Sequence, residues 1–138
     1  MTVELSRSKL HDVAHMGMRA TIGVIFIVHG FGKFGNPGFG GWISSMGIPA
    51  EMQIPIALAE FIPGIFLIFG IFTRISSGLL SIVMLGAIFL VKGASSLTGE
   101  GGYELDLILL AACLVIIVSG PGRISISHLI KKIPRVLQ

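Results

Sequence analysis

Between Ile75 and Val91 the chain carries no charged residue. A run of this kind leaves few folding options. A helix needs about 20 mostly apolar residues, in a range of about 17–25, to cross the hydrocarbon of a bilayer. There only a helix or a closed barrel can satisfy its backbone polar groups internally. Three further stretches read as spans in the same way, so the order along the chain is about 15–34, 53–72, 75–91 and 103–119. Each ends in Gly-, Pro- or charge-bearing sequence, where helices stop. Barrel strands would alternate lipid-facing and lumen-facing residues, and these segments are too continuously apolar for that.

Composition points the same way. Hydrophobic residues make up 53% and charged residues 12%, against about 25% charged in a soluble domain. At 138 residues one domain, 1–138, is expected. A water-soluble core of that size could not hide so much apolar surface. The formal charge of +3 sits mostly at the ends, which does not suit nucleic acid as a partner. Cys113 is the single cysteine, so one chain offers no disulfide, thiol pair or cysteine metal site. Four-helix membrane enzymes that work through a thiol pair are thereby excluded. Basic residues precede the first span as they would a signal peptide, but no small-residue cleavage site follows "HGFGKFG", so that span reads as retained.

Lys and Arg in the loops set orientation. One side holds Arg7, Lys9, Arg19, Arg74, Arg123, Lys131, Lys132 and Arg135; the other holds Lys33 and Lys92. The expectation is a multi-pass protein of the cell membrane with both termini cytoplasmic. The short inner connection "GIFTRIS" predicts a tight hairpin, with Thr73 as N-cap of the third span. The outer loop contains "FGGWISSMGIP", which suggests a short interfacial helix around Trp42. The tail "ISHLIKKIPRVLQ" mixes basic and apolar residues; it reads either as lying on the anionic inner leaflet or as a solvated tail. The fold class is therefore all-α: a four-helix transmembrane bundle with a short outer interfacial helix and a basic C-terminal tail.

Ionisable residues inside such spans are costly and call for partners. In "VHGFGKF", His29 falls roughly 7 Å beyond the midplane and Lys33 about 13 Å, at 1.5 Å per residue. Their spacing of four puts them on one helix face. In "LAEFIPG", Glu60 falls roughly 3–5 Å to the outer side by the same rise. Pro63 cannot donate to the Ala59 carbonyl and pushes on it, and Gly64 leaves room beside Glu60. Lys92 ends the third span, and Glu104 and Asp106 open the fourth. His29, Lys33, Glu60, Lys92 and Glu104 thus form a candidate polar pocket in the outer half, with nothing comparable expected in the inner half. The plainer readings are that Glu60 with His29 or Lys33 locks the helices, and that Asp106 is an interface residue near water. No metal site is expected, because no second histidine lies near His29 in sequence.

The stretches "HGFGK", "LAEFIPGIFLIFGIFTR", "GGYEL" and "GPGRIS", in this order and spacing, resemble those of the DoxX family of small four-helix membrane proteins. The likeness runs from about Arg19 to Arg123. One departure is visible: the family often continues the last motif as Ser-Leu-Asp, where this chain has Ser125, Ile126 and Ser127. The resemblance implies a membrane redox setting, since the family is named for a subunit of an archaeal quinone-linked oxidoreductase. Carried over by position, the family's polar residues fall on His29, Lys33, Glu60 and Glu104.

Two functional classes follow. In the first, the chain is a subunit of an oxidoreductase complex that meets quinone, with Glu60 and His29 handling protons and Lys33 holding an anionic oxygen. No cofactor is expected to be covalently bound, and any redox group other than quinone would come from a protein partner. In the second, it is a non-catalytic accessory or assembly partner of a membrane complex, and its charges lock the bundle. A small-solute transporter is a weaker third reading. The lipid bilayer is a partner on all of them.

Overall fold

The computed structural model describes residues 8–130 and 132–138. Arg7 and Lys131, counted above for orientation, lie outside them. Among the described residues every regular element is helical: α1 (Lys9–Lys33), α2 (Pro37–Ser45), α3 (Gln53–Phe69), α4 (Thr73–Gly86), α5 (Glu104–Ser119) and α6 (Ile126–Leu129). A 3₁₀ turn, Ala50–Met52, leads into α3, and a π turn, Ala87–Val91, continues α4. Three helical stretches are long and apolar enough to cross a membrane: Lys9–Lys33, Ala50–Phe69 and Thr73–Val91. α5 has 16 residues, somewhat under the usual spanning length.

The boundaries have local causes. The Ser8 hydroxyl accepts from the His11 N–H to open α1. Asn36 caps α2 through its side-chain oxygen on the Gly38 N–H, and Pro37 takes the first helical position, where its missing N–H costs nothing. So the helix expected around Trp42 is present. α3 runs through Pro63 and stops at Gly70, which is left-handed at φ 70°. α4 starts at Thr73, two residues earlier than expected, and Thr73 is not its cap. The cap residue is Phe72, itself left-handed at φ 48°, and the Thr73 hydroxyl is buried without a partner. With Gly70 and Phe72 both left-handed, the hairpin closes too tightly for a side-chain cap. Instead the chain's last described residue serves: the Arg74 N–H donates to the Gln138 backbone oxygen at 3.0 Å.

α1 packs most extensively on α3, and α4 on α5, with α3 against α4 joining the two pairs. The α1–α3 seam is glycine-lined. A Cβ on Gly23 would lie 2.6 Å from the Gly64 carbonyl oxygen, and one on Gly30 would lie 2.8 Å from that of Ala57. Small residues at this seam let the two backbones touch, as close helix pairs in lipid require. One core joins all four long helices: Ile22 and Phe26, Leu67, Leu80 and Met84, and Leu109, Cys113 and Ile116. Outside it, large apolar side chains such as Val28, Phe31, Ile82, Ile108 and Val118 are exposed. In water such a surface would aggregate; in lipid it is simply solvated.

Candidate functional site

α1 and α3 run antiparallel, and helical side chains lean toward their own N-terminus. Lys33 therefore reaches back along α1 while Glu60 reaches outward along α3, and the two meet. Lys33 Nζ lies 2.6 Å from Glu60 Oε2. Glu60 is only 4% exposed, so this is a charge-assisted bond in low dielectric. The ammonium also lies 5.7 Å from the centre of the Phe39 ring of α2, within cation–π range. Gln53 completes this corner by donating to the backbone oxygens of Lys33 and Asn36, each at 2.8 Å. One polar cluster thus binds the end of α1, the start of α2 and the upper half of α3.

The second pair, at the same end of the helices (the end expected from the sequence to be outer), joins α4 to α5. The π turn delivers Lys92 beside the start of α5, where its Nζ donates to Asp106 Oδ2 at 2.5 Å and to the Gly102 carbonyl at 3.0 Å. Asp106 is buried and Glu104 is exposed. Asp106, Leu109, Cys113 and Ile116 form the buried stripe of α5, and Glu104 falls off it. His29 is likewise exposed. The seam of α1 centres on Arg19, Ile22, Gly23, Phe26 and Gly30; Lys33 continues it, whereas His29 lies at its margin. The five expected pocket residues are therefore divided. Lys33 and Glu60 come together, Lys92 finds Asp106, and His29 and Glu104 face outward.

The inner half was expected to hold nothing comparable, and here the structure corrects the sequence reading. Arg19, 1% exposed, is the largest buried polar side chain. Its Nε donates to the Leu67 carbonyl at 2.6 Å, one terminal nitrogen donates to the Ile124 carbonyl at 2.7 Å, and the other donates to the Pro121 carbonyl. A single guanidinium fork thereby fastens the end of α3 and the loop after α5 onto α1. One helical turn earlier, His15 Nε2 lies 2.8 Å from the Ser119 hydroxyl. The glycines of "GPGRIS" fit around neighbouring basic side chains. Gly120 sits against the Arg74 guanidinium and Gly122 against the His15 ring, both at positive φ; a Cβ would be tight at Gly120, 3.2 Å from the guanidinium, and would clash at Gly122, 2.7 Å from the ring. Sequence reasoning filed Arg19 as a flanking charge that fixes topology. The signal against that was its position inside the apolar run, four residues after His15, which puts both on one helix face.

Comparison with known proteins agrees with this architecture. The DoxX family profile matches residues 14–93, which spans α1 through the π turn and contains Arg19, Lys33, Glu60 and Lys92. The chain belongs to the DoxX family. It is similar to a Bacillus subtilis (strain 168) protein named "Putative oxidoreductase CatD", with 33% identity over 82% of this chain and 84% of the relative. It is also similar to the Escherichia coli (strain K12) "Inner membrane protein YqjF", with 30% identity over 90% of this chain and 97% of the relative. No solved structure matches it. As a DoxX protein with apolar helices and an inner-membrane relative, it is a membrane protein. The Asp106 half of the Lys92 pair and the loop held by Arg19 lie beyond the profile match.

Proposed function

We propose that this DoxX protein is a four-span membrane subunit of a larger oxidoreductase complex and contacts quinone or quinol there. In this reading α5 is the fourth span, α2 lies at the outer interface, and both termini are cytoplasmic. The observation that carries the reading is the buried Lys33–Glu60 pair in the outer half of the spans. A relative named as an oxidoreductase supports it.

The fit to a quinone is strongest for the isoprenoid tail. A groove of about 330 Å³ runs between α3 and α4, walled by Leu58, Ile62, Phe66, Ile75 and Leu79, and Ala59 and Pro63 also line it. The residues that would meet the headgroup are Lys33 and Glu60, which meet between α1 and α3 and do not line this groove, so headgroup and tail would lie on different sides of α3. Bound quinone supplies two-electron chemistry coupled to protons. Glu60 would exchange a proton at Oε2, and Lys33 would hold negative charge at Nζ.

A second reading, the non-catalytic accessory partner, has its own support. Glu60 and Asp106 each already have a cation from a different helix, as helix locks would. Native mass spectrometry of protein extracted gently from its own membrane separates the two. The redox reading expects quinone on the wild type and its loss from a folded Glu60→Gln variant. Protein partners without quinone, unchanged in that variant, would leave the accessory role.

A further inference from the structure

The inner end holds a second concavity, of about 450 Å³, between α1, the end of α3 and the segment after α5. Arg19, Arg123 and Ser125 line it together with the apolar side chains of Phe69, Ile126 and Leu129. We propose that this groove is a binding site for one anionic phospholipid. Its phosphate would lie between Arg123 and Ser125 beside the buried charge of Arg19, and an acyl chain would run over Phe69 and Leu129.

Three observations converge. Among the described residues Arg19 has no carboxylate within ion-pair distance; only backbone carbonyls face its charge. A guanidinium carries five N–H groups, so two remain beyond those three bonds. Arg123 is about half exposed, and among the described residues its one acidic neighbour, Asp12, stands 3.9 Å away, too far for a direct hydrogen bond. It is therefore free to turn to a phosphate, which guanidinium groups grip bidentately. Finally, Phe69 and Leu129 are 54% and 79% exposed. Their apolar surface beside the cations suits a lipid and does nothing for a free phosphate ion. Basic pockets between membrane helices bind anionic headgroups in this way. The inference needs only that the helices lie in a bilayer; it depends neither on quinone nor on which face is cytoplasmic.

The test is native mass spectrometry of the protein released from nanodiscs of equal phosphatidylglycerol and phosphatidylcholine. Wild type should retain one phosphatidylglycerol preferentially. Arg123→Gln, at unchanged thermal stability, should lower that preference about fivefold, taking roughly 1 kcal/mol per basic residue. Asp12→Asn should raise it, since it removes the competing carboxylate. Arg135→Gln, an exposed charge in the same tail, should leave it unchanged. An equal loss in Arg135→Gln would mean diffuse attraction and overturn the site. Displacement of the lipid by millimolar inorganic phosphate would overturn it too, because the apolar half would then contribute nothing.

Discussion

The two ends of this bundle solve the same problem differently. At the outer end each buried carboxylate meets an ammonium from another helix, Glu60 with Lys33 and Asp106 with Lys92. At the inner end a buried guanidinium meets backbone carbonyls from two other segments, with a histidine and a hydroxyl beside it. An ion pair needs only two side chains on facing stripes, so it survives small changes in loop geometry. A guanidinium on three carbonyls needs the backbone itself to be held in place; left-handed glycines occur at both ends, but Gly70 packs on the Arg19 guanidinium itself, where a Cβ would lie 3.0 Å from its central carbon. The outer end is therefore locked by charge and the inner end by shape. Among the described residues, that leaves a buried cation without a carboxylate partner at the inner end and none at the outer.

The largest break in this comparison should come from Arg19. Arg19→Leu removes three hydrogen bonds and strands three carbonyls. We expect a loss of roughly 3–9 kcal/mol, at about 1–3 kcal/mol for each buried carbonyl left unsatisfied. Arg19→Lys should recover little of it, since an ammonium cannot span the fork. Thermal unfolding in detergent reads both, and a near-native Lys variant would refute the shape-locked description.

The outer end should behave as a pair. Lys33→Met leaves Glu60 buried and alone, at a cost of about 3–5 kcal/mol, whereas the Lys33→Met/Glu60→Leu double variant should regain most of that. A double-mutant cycle measures the coupling. Strictly additive single losses would mean that the 2.6 Å contact contributes no stability. The smallest effect is expected at the seam that sets both ends in register. Gly23→Ala puts a methyl 2.6 Å from the Gly64 oxygen and should cost about 1–3 kcal/mol as the helices part. It should also weaken the Lys33–Glu60 coupling in the same cycle, because both contacts depend on one α1–α3 spacing.

Particular residues show what could be read from the sequence. Glu60 was legible as a charge that needs a partner from α1, because it stands alone in an otherwise apolar helix; by depth His29 was as good a candidate as Lys33, and only the reach of the lysine side chain in the fold decides for Lys33. Asp106 was not separable from Glu104. α5 is apolar on every side, so no stripe marks which acid faces inward; only packing against α4 and the π turn before Lys92 decides it. The Thr73 cap failed for a different reason, since the turn before it is tighter than a side-chain cap allows.

By itself the sequence determined an all-helical chain in a membrane, with the order of its long helices, the short helix at Pro37 and the family. Those follow from local properties: run length, hydropathy, capping residues and proline. Only the tertiary structure decided which charges meet, because in lipid-facing helices hydropathy no longer distinguishes the buried face from the exposed one. It alone showed Arg19 as a central tie, because its partners are backbone carbonyls, which every residue carries and no sequence pattern marks.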